Sequence, residues 1–438
     1  MKPKVEFDLI KNQAANAIEQ TVTEKDRRGI TQIPLSSQQI KFPTYLNMTS
    51  RQILFINHAG VLGGAELSLL DLATAYRESS QVLLFNDGPF RERLEAQSVR
   101  VKVIPAPRSA LDVHASDKLS GLKAMPALWW MARRIVEAGQ GFDIVHANSQ
   151  KAFIAAALAT FIGAPPVVWH LRDILTAQHF SKLNRSIAVK LANTCSAMVL
   201  VNSHATGDAF IAAGGRKELV RLVYNGISSD AFSDPGQKKS TVIRADLGIG
   251  DAPLVGLFSR LSYWKGQHIL LEALRELPGV HALLAGEALF GETEYTAQLK
   301  ALAEAPELAG RIHWLGFRSD VPALMAACNI VVHTSTEPEP FGRVIVEGQL
   351  AQRPVVATAA GGAVELIQDG VTGRLVPPSD VQALARTIRE LLANPLAAEA
   401  LGQRGCAHAR ATFSLEALLV AFERALQEVA SVIPKLKF

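Results

Sequence analysis

Two carboxylates and two cations have the types and spacing to act on one ligand. Glu339 and Glu347 lie eight positions apart in EPEPFGRVIVE (337–347), and Arg260 and Lys265 lie in FSRLSYWKG (258–266). A helix starting near Gly342 puts Glu347 within its first two turns and leaves Glu339 in the preceding loop. Both can then face one cleft. Carboxylates accept hydrogen bonds from sugar and ribose hydroxyls, and Gly342 exposes backbone N–H groups to the same ligand. Arg260 suits a diphosphate as a fork and Lys265 as a point charge. Each feature also has a plainer reading: a charged helix start favoured by the dipole, or a solvated helix cap. In HAGVLGGAE (58–66), Gly63 and Gly64 precede a helix near Ala65. Glycines let a backbone approach a phosphate, and a helix N-terminus offers N–H groups to it. A tight strand–helix turn explains the same residues. The G-x-G-x-x-G spacing is missing, so Asp87 at the end of the second strand does not make a dinucleotide site.

Such side chains need rigid elements beneath them. From residue 52, short apolar runs alternate with segments of helical period. Strands are expected at 52–57, 81–85, 101–104, 143–147, 167–170 and 198–202. A Gly-, Ser-, Asp- and Lys-rich stretch at 226–252 reads as a linker. The alternation then restarts at 254–258, 280–286, 311–316, 330–335 and 354–359, and helices from about Ser379 to Val432 close the chain. Strand–helix alternation implies right-handed crossovers and a doubly wound parallel sheet. The expected α/β organisation is therefore an extension at 1–50 and Rossmann-like domains at 51–235 and 236–438. The final helices are candidates to pack back on the first domain. Met48, just before the first strand, is a candidate start of the native chain.

The composition is that of a globular chain. It has 438 residues, 48% hydrophobic and 20% charged, with a net charge of +4. That charge is too small to argue for nucleic acid. By count, residues 1–235 carry 26 basic and 20 acidic side chains, and residues 236–438 carry 19 and 21. Three scattered cysteines form no disulfide framework or metal cluster and suit a reducing compartment. No apolar run reaches the ~18 residues of a membrane span. The start, MKPKVEFDLIKNQ, lacks the apolar stretch of a signal peptide. These features suit a cytoplasmic or peripheral protein.

The chain resembles the retaining nucleotide-sugar glycosyltransferases of family 4, which have the two-Rossmann GT-B fold. The resemblance spans roughly residues 52–430. It rests on GGAE (63–66), VHANS (145–149), the R-x4-K-G of Arg260 to Gly266, LGFRSDV (315–321), E-x7-E from Glu339 to Glu347, and the run TAAGGAVELIQDGVTGRLVPP (358–378). It implies a hexosyltransferase with a UDP-, GDP- or ADP-linked sugar as donor and no other cofactor. Arg260 and Lys265 look like the diphosphate clamp, Glu347 like the ribose ligand, and Glu339 like the donor-sugar reader. Backbone from Phe341 through Gly342 and Arg343 to Val344 accompanies Glu339. Gly63 and Gly64 look like the loop closing near the phosphates. His170, in VVWHLRD, takes the place of the family's active-site histidine, though a core histidine is the competing reading. Asn225 matches the family's N-G before the linker. Phe317 and Arg318 lie on the loop expected beside the nucleobase.

The resemblance also implies same-face attack through an oxocarbenium-like state, with no protein nucleophile and no metal. No D-x-D occurs in the chain, in agreement. The acceptor is expected to be a saccharide, a small glycoside or a lipid-linked sugar read by the N-terminal domain. The helix at 119–139 carries Trp129, Trp130, Arg133 and Arg134. It reads either as an ordinary Rossmann helix or as weak contact with the inner face of a membrane. A sugar-nucleotide 2-epimerase and a non-catalytic nucleotide-sugar-binding subunit are the alternative functions.

Overall fold

The computed structural model describes residues 51–107, 120–176, 180–233, 237–288 and 292–432. The expectations for residues 1–50, including Met48, and for the 235/236 boundary lie outside them. The strands are β1 (Ile53–Asn57), β2 (Ser80–Leu84), β3 (Val101–Val103), β4 (Ile144–Ala147), β5 (Val167–Leu171), β6 (Ser196–Val201) and β7 (Val220–Leu222). After the interdomain crossing come β8 (Leu254–Phe258), β9 (His281–Ala285), β10 (Ile312–Gly316), β11 (Ile330–His333), β12 (Val355–Thr358) and β13 (Arg374–Val376). They build two parallel sheets, ordered β3-β2-β1-β4-β5-β6-β7 and β10-β9-β8-β11-β12-β13. The stretch expected to be a linker is partly helical, with helices at Asp230–Ser233 and Gln237–Asp246. Its small polar residues hid Ile243, Leu247 and Ile249, which pack on the second domain.

Strand periodicity sorts the first core into two layers. Leu54, Ile56, Val145, Val167 and Trp169 face the helices Ser120–Ala138, Gln150–Thr160 and Lys182–Cys195. Ile53, Phe55, Ile144 and Val168 face the other way, onto helix Gly64–Ala75 and the last helix, Leu415–Val432. The last helix thus completes the N-terminal domain from the far end of the chain. Leu418, Phe422, Ala425 and Val429 are its buried stripe. Going and returning crossings lie side by side, with the Ile227 N–H donating to the Phe413 carbonyl at 2.9 Å. In the second domain, Val255, Leu257, Ala282 and Val332 face one helical layer, and Leu254, Phe258, Leu283 and Val331 the other.

Candidate active site

An open parallel sheet binds ligands beyond the carboxyl ends of its strands, where the strand order reverses. In the second sheet that point lies between β8 and β11, and the loops after these strands are stitched together. The Thr336 N–H donates to the Trp264 carbonyl (2.8 Å), and the Thr334 hydroxyl approaches the Lys265 and Gly266 carbonyls at 3.0 and 2.9 Å. Gly266 has φ +68°, and a Cβ there would stand 2.0 Å from the Thr334 carbonyl oxygen, so only glycine permits the approach.

The stitching brings Lys265 and Glu339 together, 74 residues apart in sequence. Lys265 Nζ donates to Glu339 Oε2 at 2.6 Å. The same oxygen accepts from the Ser335 hydroxyl (3.2 Å) and lies 3.3 Å from His333 Nε2. Burial opposes the charged carboxylate, but Lys265 and His333 outweigh it and hold Glu339 well below the usual carboxylate range. The Trp264 ring lies between the cations, 4.0 Å from Lys265 Nζ and 5.6 Å from Arg260 Cζ.

Gly342 (φ +99°) caps helix Arg343–Leu350. Arg343 and Glu347 are one turn apart and approach at 3.5 Å, and Arg343 also reaches Asp71 of the N-terminal domain at 3.5 Å. Burial raises the Glu347 carboxyl against the pull of Arg343. Burial likewise lifts Asp71 to about 6. Gly63 and Gly64 open the helix that carries Asp71, and a Cβ on Gly64 would lie 3.5 Å from Arg343 Cδ. Beneath them Arg172 donates to Asn148 (2.9 Å) and Ser68 (2.8 Å), and to Asn225. Asn225 also accepts from Ser68 at 2.8 Å.

The structure therefore gathers Gly63, Gly64, Asn225, Arg343 and Glu347 along the domain boundary, and Arg260, Lys265 and Glu339 at the β8/β11 switch point. Five other residues singled out in the sequence lie as follows. His170 sits one residue before the end of β5. Its register on β5 points it to the face covered by Phe422, where it is fully buried with Nδ1 3.2 Å from both His146 Nε2 and Arg172 Nη2. Burial and Arg172 hold both imidazoles low, His146 at about 3. Phe317 and Arg318 lie past edge strand β10, two strands away from β8. Phe317 is exposed, and Arg318 makes a fork to Asp320 at 2.8 and 2.6 Å. The Phe341 side chain is in the core, edge-on to Phe413, and Val344 packs against the same cluster, while their backbone runs through the Gly342 cap into helix Arg343–Leu350. Asp71, Arg172, Ser68, Asn148, His333 and Ser335 were missed. Ser68 and Asp71 share helix Gly64–Ala75, His333 and Ser335 share β11 and its loop, and Asn148 and Arg172 follow β4 and β5. Only the polar residues directly after β4, β5 and β11 gave a signal.

Two parallel α/β sheets with polar residues gathered at the strand ends of both define a GT-B architecture. Residues 63–226 match the family described as "Glycosyl transferase 4-like domain", and residues 239–408 match "Glycosyl transferases group 1". The crystal structure of Anabaena HepE in complex with UDP-glucose is 40% identical, with a TM-score of 0.78 over 88% of this chain and 100% of that one. The chain belongs to the group 1 glycosyl transferases. The D-inositol 3-phosphate glycosyltransferase of Mycobacterium avium is 34% identical over 216 residues, 48% of this chain and 50% of that one. A lipopolysaccharide core biosynthesis glycosyltransferase of Rhizobium meliloti, LpsE, is 33% identical over 218 residues, 50% of this chain and 59% of that one. The matches thus span about half the length of these curated relatives.

Proposed function

We propose that the protein is a retaining, metal-independent hexosyltransferase that uses a UDP-sugar, with UDP-glucose the first candidate. The observation that carries this reading is the Lys265–Glu339 pair at 2.6 Å beside Arg260 and the Glu347 helix. Arg260 and Lys265 supply fixed positive charge where a diphosphate leaves, which lowers the barrier without a metal. Glu339 accepts from sugar hydroxyls and Glu347 from ribose hydroxyls. The bond from the anomeric carbon to the diphosphate breaks. The acceptor oxygen bonds to that carbon on the same face, and its proton passes to the departing phosphate. No side chain is needed as nucleophile. Similarity to HepE, crystallised with UDP-glucose, supports the donor. The LpsE match supports a saccharide acceptor, and the aromatic and basic helix Ser120–Ala138 supports a lipid-linked one at a cytoplasmic membrane face.

The test is a panel of nucleotide sugars, with and without EDTA, following release of nucleotide. UDP-glucose should be turned over in EDTA. Lys265→Ala and Glu347→Ala should each lose ~100-fold or more while circular dichroism stays unchanged. Full activity in both variants would overturn the site, and activity abolished by EDTA and restored by manganese would overturn the metal-free step.

A further inference from the structure

Glu365 belongs to the second domain, in the short helix Ala363–Leu366, yet its carboxylate is bound by the first domain. Oε2 accepts from the His204 N–H at 2.8 Å, and Oε1 from the Ala205 N–H at 2.9 Å. The Tyr224 hydroxyl donates to Oε2 at 3.0 Å. His204 and Ala205 are the first two residues of helix His204–Ala212, whose own cap, Ser203, accepts only from the Thr206 N–H. The helix start thus keeps donors and partial positive charge for a carboxylate arriving from 160 residues away.

That carboxylate is tied to the candidate donor site. Gly361 bridges Glu339 strand-fashion, the Gly362 N–H donates to the Glu339 carbonyl at 2.7 Å, and the Glu365 N–H returns to Gly362 at 2.9 Å. Gly361 has φ +61°, and a Cβ there would come within 2.3 Å of the Glu339 carbonyl oxygen. The strap is therefore closely packed on the backbone of Glu339. The same helix start approaches it from the other side, with the Thr206 hydroxyl 3.5 Å from the Pro340 carbonyl.

We propose that Glu365 is a positioning residue, an interdomain clasp that sets Glu339 for transfer only when the two domains are together. The kinetic part rests on the transferase reading. The clasp itself does not.

The experiment uses the full chain with Glu365→Ala and the conservative Glu365→Gln. Turnover of UDP-glucose, UDP affinity by calorimetry, and hydrogen exchange at the His204 and Ala205 amides are measured together. Glu365→Ala should lower kcat ~10-fold or more while KM and UDP affinity stay within ~2-fold, because UDP is held by the second domain. Exchange at His204 and Ala205 should accelerate ~10-fold or more, with β8 unchanged. Glu365→Gln retains one acceptor oxygen and should recover part of both effects. Unchanged kcat, or exchange that accelerates throughout the N-terminal sheet, would overturn the proposal. If wild type turns over no nucleotide sugar, the functional reading fails, and the exchange measurement still decides the clasp.

Discussion

Asp71 faces Arg343 across the domain boundary, 3.5 Å away, and its carboxyl is lifted from 3.8 to about 6 by burial. The folded protein therefore holds this proton more tightly than the unfolded chain. The associated stability is present below the unfolded value and is lost as pH rises from 3.8 to about 6. Two pH units at ~1.4 kcal/mol each amount to about 3 kcal/mol. Urea unfolding of wild type and Asp71→Asn should show wild type losing about 2.4 kcal/mol relative to the variant between pH 4 and pH 7. A constant difference across that range would contradict the buried placement. Residues that act within one segment were legible in the sequence, as with Arg260 and Lys265 or Glu339 and Glu347. Asp71, Asn148, Arg172, Asn225 and Arg343 come from five segments, and only the fold supplies their adjacency.

At the scale of elements, the last helix was legible as an element. Leu418, Leu419, Phe422, Ala425, Leu426 and Val429 recur at helical spacing, so its existence was readable from LEALLVAFERALQEVASV. Its target sheet is not encoded in that spacing. Phe422 is fully buried, edge-on to Tyr76 and His146 at 5.5 and 5.6 Å. Phe422→Ala should destabilise the N-terminal domain by about 3–5 kcal/mol in urea unfolding. It should leave the stability of the second domain unchanged, and equal damage to both domains would refute this division of cores. The central strands were legible as buried apolar runs. The edge strands β7 and β13 were not, because each has three residues and an arginine, VRL and RLV.

For the whole molecule, charge and apolar exposure coincide on one side of the N-terminal domain. Met125, Trp129, Leu183 and Ile187 are exposed on helices that share one face of the sheet. Helix Lys182–Cys195 adds Lys182, Arg185 and Lys190 with no acidic residue. Among the described residues no helix is long and apolar enough to cross a membrane. This face should bind phosphatidylglycerol vesicles at ~50 mM salt and release them at ~500 mM, where screening is nearly complete. The double variant Trp129→Ala, Arg133→Glu should reduce co-sedimentation several-fold, and its absence in wild type at low salt would remove the membrane-facing acceptor reading. The paired crossings at Ile227 and Phe413 have a further consequence. The second domain is an insertion whose two ends already touch, so residues 228–412 form a graftable module. That module can be exchanged for another with both junctions held at the existing Ile227–Phe413 hydrogen bond. A single cut after Gly226 would instead strip Phe55 and Tyr76 of their cover from Phe422, leaving an N-terminal fragment with an open hydrophobic face.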